Sequence, residues 1–264
     1  MGWFEVIILS IVQGITEFLP VSSSAHLVLV PHIFGWEDQG LAFDVAVHLG
    51  TLIAVIIYFR DEIRSVFKDW VISLKRAERF GESTLFWGII VATIPACVFG
   101  FFFNGFIETH LRSPLVIAFT TIIFGVVLFV SDKFVGGKDE KNITLYLAFL
   151  IGLAQMLALI PGVSRSGITL SAALLLGFSR VGAARFSFLL SIPVILLAGG
   201  YEGLKLIEAE AAVEWGKLAG AVAFSFVSGY ICIHLFLAAL TRFSITPFAV
   251  YRLLLGVVLF WFFF

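Results

Sequence analysis

Pro161-Gly162-Val163-Ser164-Arg165-Ser166-Gly167 lies between two apolar stretches, Ile143 to Ile160 and Ile168 to Phe178. A guanidinium at membrane depth is costly, so Arg165 marks a functional site and needs a named partner. The glycines and serines around it are the composition of a backbone that opens around an anion. Gly162 and Gly167 permit close backbone approach, Ser164 and Ser166 offer hydroxyls, and Arg165 presents a planar fork of donors suited to phosphate oxygens. A half-helix starting near Ser166 would aim amide donors and a positive dipole end at the break. The stretch reads as a phosphate site inside a membrane protein.

Composition agrees. The 264 residues are 60% hydrophobic and 13% charged, with a mean hydropathy of +1.07, whereas soluble domains carry about 25% charged residues. An ordinary soluble protein is excluded; the chain suits roughly six to eight membrane segments in one domain. Cys97 and Cys232 both fall in apolar spans and read as packing residues, not a disulfide framework. The first basic residue is Arg60, so the basic start of a cleavable signal is not expected. The net charge of -1 carries no information on partners.

Six stretches, approximately 41–59, 84–107, 114–131, 186–201, 218–240 and 247–264, approach the length needed to cross a hydrocarbon core. Two more, 3–34 and 143–178, are interrupted halfway by Pro, Gly and Ser clusters. Each half is too short to span, so each reads as a re-entrant helix-loop-helix pair, with its broken backbone buried in protein or lining a wet cavity. Basic residues set orientation. Arg60, Arg64, Lys68, Lys75, Arg76, Arg79, Lys133, Lys138, Lys141, Arg180, Arg185 and Arg242 fall on one side, against Arg112, Lys205 and Lys217 on the other, beside the acidic stretches Glu37-Asp38 and Glu202 to Glu214. The bias places both termini outside.

The halves also repeat. Gln13 to Val21-Ser22-Ser23-Ser24 has the spacing of Gln155 to Val163-Ser164-Arg165-Ser166, and Gly35 falls in register with Gly177. Ser113-Pro114 leads to Gly125-Val126-Val127-Leu128-Phe129 as Thr246-Pro247 leads to Gly256-Val257-Val258-Leu259-Phe260. Each half, about 1–131 and 143–264, holds one broken pair and three spans. An odd number of crossings inverts one half against the other, as in transporters whose sites form between repeats.

The first interrupted region supplies the chemistry that the second lacks. It runs Gln13-Gly14-Ile15-Thr16-Glu17-Phe18-Leu19-Pro20-Val21-Ser22-Ser23-Ser24-Ala25-His26. Gln13 and Glu17 share a helix face; Pro20 and the serines break the helix, and His26 follows in a new one. Unpaired in hydrocarbon, such groups cost several kcal/mol each. Combined, the halves offer a base or metal ligand (Glu17), a nucleophile or proton shuttle (His26), hydroxyl nucleophiles (Ser23, Ser24) and a phosphate clamp (Arg165 with Ser164 and Ser166). That set fits hydrolysis of a phosphate ester or anhydride, in which positioning and charge neutralisation carry most of the catalysis. Asp44 and His48, one turn apart, read equally as metal or support ligands and as a helix-helix hydrogen bond. Arg252 reads as a second phosphate ligand or as a residue snorkelling to the inner surface. The mixed basic and aromatic 60–83 segment reads as an amphipathic helix on anionic lipid, not a nucleic-acid site, and no Walker, dinucleotide or zinc motif is present.

These two segments closely resemble the two signature motifs of undecaprenyl-diphosphate phosphatases of the bacitracin-resistance type. The likeness extends through Phe43-Asp44-Val45-Ala46-Val47-His48-Leu49-Gly50 and Tyr251-Arg252, essentially the whole chain. It implies an all-α integral protein of the bacterial inner membrane, with six transmembrane helices and two re-entrant pairs in an inverted repeat. It also implies removal of the terminal phosphate from a polyprenyl diphosphate lipid at the outer face, aided by a divalent cation, Mg2+ or Ca2+, and allows a homodimer. Family roles fall on Glu17 (acid, base or metal ligand), on Ser23 and His26 (nucleophile and proton partner, in either order) and on Ser164 with Arg165 (phosphate binding). Gln13 stands where some members carry a second glutamate, and Ala25 where a glycine is frequent. The rival reading is a polyprenyl-phosphate flippase or transporter, which needs the anion site but no nucleophile.

Overall fold

The computed structural model describes residues 1–76, 78, 80–208 and 214–264. Arg79 of the basic segment and Glu210 of the acidic stretch lie outside the described residues. The described chain is helical: α1 (Trp3–Phe18), α2 (Ser23–Phe34), α3 (Gly40–Tyr58), α4 (Arg60–Arg76), α5 (Ser83–His110), α6 (Pro114–Ser131), α7 (Leu145–Met156), α8 (Arg165–Leu175), α9 (Arg180–Glu208), α10 (Trp215–Leu240) and α11 (Thr246–Phe263). Among the described residues six helices, α3, α5, α6, α9, α10 and α11, are long and apolar enough to cross a membrane.

The expected spans agree with these helices except at α9, which begins six residues before the apolar stretch 186–201 and ends seven after it. Its first turns are basic and partly buried, with their charges paired. Arg180 Nε donates to Asp132 Oδ1 at 2.6 Å, Arg185 Nε donates to Glu140 Oε1 at 2.6 Å, and Arg185 also pairs with Glu62 of α4. Burial pushes the Glu62 carboxyl above its ordinary range, and the Arg185 guanidinium opposes the rise. The 60–76 segment is helix α4, whose Trp70 stacks on Phe86 of α5 with ring centroids 4.4 Å apart.

Both interruptions are built alike. Leu19 and Ile160 each precede a proline and adopt extended backbone, ψ 146° and 120°, because the proline ring disfavours helical geometry in the residue before it. The chain then restarts through Ser22 at φ 73° and Ser164 at φ 69°, the only non-glycine residues with positive φ among those described. Each serine is an N-cap: Ser22 Oγ accepts from Ala25 N at 3.4 Å and Ser164 Oγ from Gly167 N at 3.1 Å. Left-handed serines store strain, which persists where surroundings enforce it, commonly at functional sites. At 16 and 12 residues, α1 and α7 measure about 24 Å and 18 Å, short of a hydrocarbon core of about 30 Å.

Packing crosses between the halves in matching pairs. Broken helix α1 lies on α10 and broken helix α7 on α5, while α3 meets α9 and α6 meets α11. In lipid such contacts depend on close backbone approach at small residues. A Cβ on Gly14 would stand 2.7 Å from Ser225 O, and one on Gly152 would stand 2.6 Å from Ala92 O. Gly152→Val is therefore expected to separate α7 from α5 and cost about 1–3 kcal/mol, seen as a lower unfolding temperature in detergent. An unchanged transition would show that this crossing is loose. The core centres on Phe186, Phe188, Leu189 and Leu190 of α9, each no more than 2% exposed, whereas Phe101 and Trp261 are over 80% exposed on the outer surface of the helices.

Candidate active site

The two breaks touch. Ser166 Oγ of α8 donates to Leu19 O at the end of α1, 2.9 Å, and Gly162 N donates to Ser24 Oγ of α2, 3.2 Å. Two half-helix starts, α2 and α8, thus belong to one polar cluster, each contributing amide donors and a positive dipole end.

Glu17 occupies the last turn of α1 and is 8% exposed. Its Oε2 accepts from Gln13 Nε2, one turn earlier, at 3.1 Å and from Ser23 Oγ, across the break, at 3.1 Å. His48 Nε2 of α3 stands 3.8 Å from the same oxygen. Oε1 accepts from Arg165 Nη2 at 3.1 Å. Arg165, the first residue of α8, spends Nη1 on Ser187 O of α9 at 3.0 Å, and its Nε is buried with no partner. A buried cationic N–H with nothing to bond is rare in native structures.

The remaining expected residues are placed as follows. Ser24 Oγ lies 3.2 Å from Ser22 Oγ, and Ser164 Oγ lies 3.2 Å from Ser166 Oγ, one such pair at each helix start. His26 is held by two other partners: its Nδ1 donates to Ser22 O at 2.7 Å, and its Nε2 lies 2.6 Å from the Tyr251 hydroxyl. Because a carbonyl only accepts, the neutral ring carries its proton on Nδ1 and takes the Tyr251 O–H on Nε2. His48 Nδ1 likewise returns to Asp44 O at 2.7 Å, and Asp44 Oδ1 accepts from Gln39 Nε2 at 3.1 Å. The hydrogen bond that ties Asp44 to His48 is thus made by the Asp44 carbonyl.

Arg252, read from sequence as a second phosphate ligand, is fully buried. Nε donates to Thr121 O at 3.2 Å, Nη1 to Val163 O at 2.9 Å and Nη2 to Gly162 O at 2.7 Å. In this structure it backs the 160–164 loop, whose carbonyls the break has freed; Thr120 Oγ1 adds a bond to Pro161 O at 2.6 Å. Arg252→Met is expected to orphan those carbonyls and destabilise the fold by about 3 kcal/mol, with activity falling in step. A wild-type unfolding temperature in detergent would show that the three bonds contribute nothing. Nothing in the residues alone singles out Tyr251, Ser187 or Leu19. Ser187 and Leu19 act through backbone carbonyls and leave no side-chain signal.

For a divalent cation, the donor set is sparse. Among the described residues no three His, Cys, Asp or Glu side chains converge to hold an ion. Mg2+ commonly binds through one or two carboxylates plus substrate phosphates. The residues present fit that pattern, with Glu17 as the one protein carboxylate at the break and the rest of the coordination left to the substrate. An apolar groove lined by Pro95, Phe99, Phe102, Phe149 and Met156 opens between α5 and α7.

Six apolar helices around two touching helix starts, a guanidinium and a hydroxyl–carboxylate pair define a class: multi-pass membrane proteins with a buried polar cluster at broken helices. The family model described as bacitracin resistance protein BacA matches residues 6–258, and the chain belongs to that family. It is 62% identical over 259 residues to the undecaprenyl-diphosphatase of Campylobacter curvus, covering 98% of each chain. It is 57% identical to undecaprenyl-diphosphatase 2 of Stutzerimonas stutzeri, over 98% of this chain and 97% of the relative. The undecaprenyl-diphosphatase of Teredinibacter turnerae is 56% identical, over 98% and 99%.

Proposed function

We propose that the chain hydrolyses undecaprenyl diphosphate to undecaprenyl phosphate and inorganic phosphate, returning the lipid carrier to cell-wall synthesis and so conferring bacitracin resistance. One observation carries the chemistry: Ser23 Oγ donates to Glu17 Oε2 at 3.1 Å while Arg165, with an unpaired Nε, holds Oε1 of the same carboxylate. Nucleophile, base and anion clamp meet within one cluster.

Ser23 is the nucleophile. Its oxygen attacks the terminal phosphorus as its proton passes to Glu17, and the bond to the bridging oxygen breaks. The electron pair leaves with undecaprenyl phosphate, whose oxygen takes the proton from Glu17. Water then attacks the phosphoserine, losing its proton to Glu17; the phosphorus–Oγ bond breaks, and Glu17 returns the proton to Ser23. Arg165, the Ser164, Ser166 and Ser24 hydroxyls and the amides of both helix starts neutralise the phosphoryl oxygens. His26 has both ring nitrogens engaged, at Ser22 O and Tyr251, which favours Ser23 for the attack and gives His26 the task of holding the Ser22 turn. A cation, Mg2+ or Ca2+, held by Glu17 and the diphosphate, would add positive charge at the transferring group.

The broken pairs are re-entrant, the halves form one inverted-repeat membrane domain, and both termini and the site face outside the bacterial inner membrane. The basic side bias among residues such as Arg60, Lys68, Lys133 and Arg180 supports that orientation. The prenyl tail lies in the α5–α7 groove, and two copies can pair as a homodimer. A flippase needs anion binding without a nucleophile, so the Ser23–Glu17 pair speaks for hydrolysis. Purified protein in detergent should release phosphate from undecaprenyl diphosphate; binding without release would move the reading to transport.

A further inference from the structure

Glu17 is crowded for a metal ligand. Its oxygens receive Arg165 Nη2 on one side and Gln13 Nε2 with Ser23 Oγ on the other, each at 3.1 Å, with His48 Nε2 3.8 Å away. A carboxylate has about four lone-pair positions; Oε2 has both of its own engaged and Oε1 keeps one free, too little to hold an ion without further ligands from a substrate. Gln13 is fully buried in α1, one turn from Glu17. Its orientation is set by elimination: the amide oxygen turned toward Glu17 would oppose two acceptors. The nitrogen therefore faces the carboxylate, and Oε1 is left buried without a partner, a cost tolerated only where something else is gained. The Arg165 charge on the same carboxylate also repels a cation approaching it.

We infer that Gln13 is a positioning residue that holds the Glu17 Oε2 edge against Ser23 and closes that edge to a divalent cation, leaving one Oε1 position for it. The substrate-free site therefore binds no divalent cation of its own, and any cation enters as the companion of the diphosphate. This rests on Glu17 being the base for Ser23, but its consequence for the cation is read from metal binding.

Mn2+ binding to the purified protein, followed by electron paramagnetic resonance in detergent, tests it. Without substrate, wild type and Glu17→Gln should bind Mn2+ indistinguishably; with a non-hydrolysable methylene analogue of the polyprenyl diphosphate, wild type should bind it. Gln13→Glu should bind Mn2+ without the analogue at least about tenfold more tightly than wild type, and adding Glu17→Gln should erase the gain. Gln13→Leu should lower kcat about tenfold with KM little changed, with no recovery on adding cation. Mn2+ bound by substrate-free wild type and lost in Glu17→Gln would overturn the inference, whether or not Gln13→Glu folds. Failure of phosphate release with the Mn2+ pattern intact would instead strike the phosphatase reading.

Discussion

Arg165→Ala should abolish phosphate release, by about 10³-fold or more, in a protein that still inserts and remains monodisperse. Arg165 stands at the junction of the two breaks with its Nε unpartnered. Removing a single donor to developing charge costs about 10²–10³-fold, and removing an arginine from phosphoryl transfer about 10³–10⁵-fold. Arg165→Lys should recover little, because a point charge cannot reproduce the planar fork that spans Ser187 O and Glu17 at 3.0 and 3.1 Å. Deleting the arginine also strands Glu17, and an unpaired buried carboxylate costs about 3–5 kcal/mol. The double variant Arg165→Ala/Glu17→Gln separates the effects: it should regain stability and stay inactive. Activity of Arg165→Ala within a few-fold of wild type would refute the clamp.

Ser23→Ala should be nearly as damaging, with a loss of at least about 10³-fold, and should leave thermal stability within about 0.5 kcal/mol because only one hydrogen bond at a partly buried site is removed. Glu17→Gln, which keeps the shape but removes the base, should lose about 10²–10⁴-fold. The two should combine far less than multiplicatively, since base and nucleophile act as one unit. Acid quenching of a single turnover with terminal-phosphate-labelled substrate should leave label on Ser23. Label that survives alkali but not acid would transfer the attack to His26, and an active Ser23→Ala protein would remove serine from the scheme.

Much of this arrangement is legible in one dimension because hydrocarbon is an unforgiving solvent. The six spans follow from apolar length, and the breaks at Pro20 and Pro161 follow from proline chemistry. The meeting of Glu17 with Arg165 follows from the cost of burying either charge alone. What resisted reading depends on which surface a side chain meets after packing. Arg252 reads from sequence as a phosphate ligand or a snorkelling residue, and the Val163 and Gly162 carbonyls it meets lie 89 and 90 residues away, beyond the reach of any local pattern. Asp44 and His48 share a helix face, yet the imidazole returns to the Asp44 carbonyl and turns its other nitrogen toward Glu17. The start of α9 was set too late because Arg180 and Arg185 count as polar in a hydropathy window, whereas in the fold they face carboxylates.

The bond between Arg165 and Glu17 has a bearing on turnover. A site whose guanidinium already owns an internal rival anion holds a newly made orthophosphate against constant competition. On the proposed mechanism the diphosphate, with more oxygens to offer, competes for that guanidinium better than the smaller product does. Product inhibition should accordingly be shallow, and the catalyst should clear itself without a separate opening step.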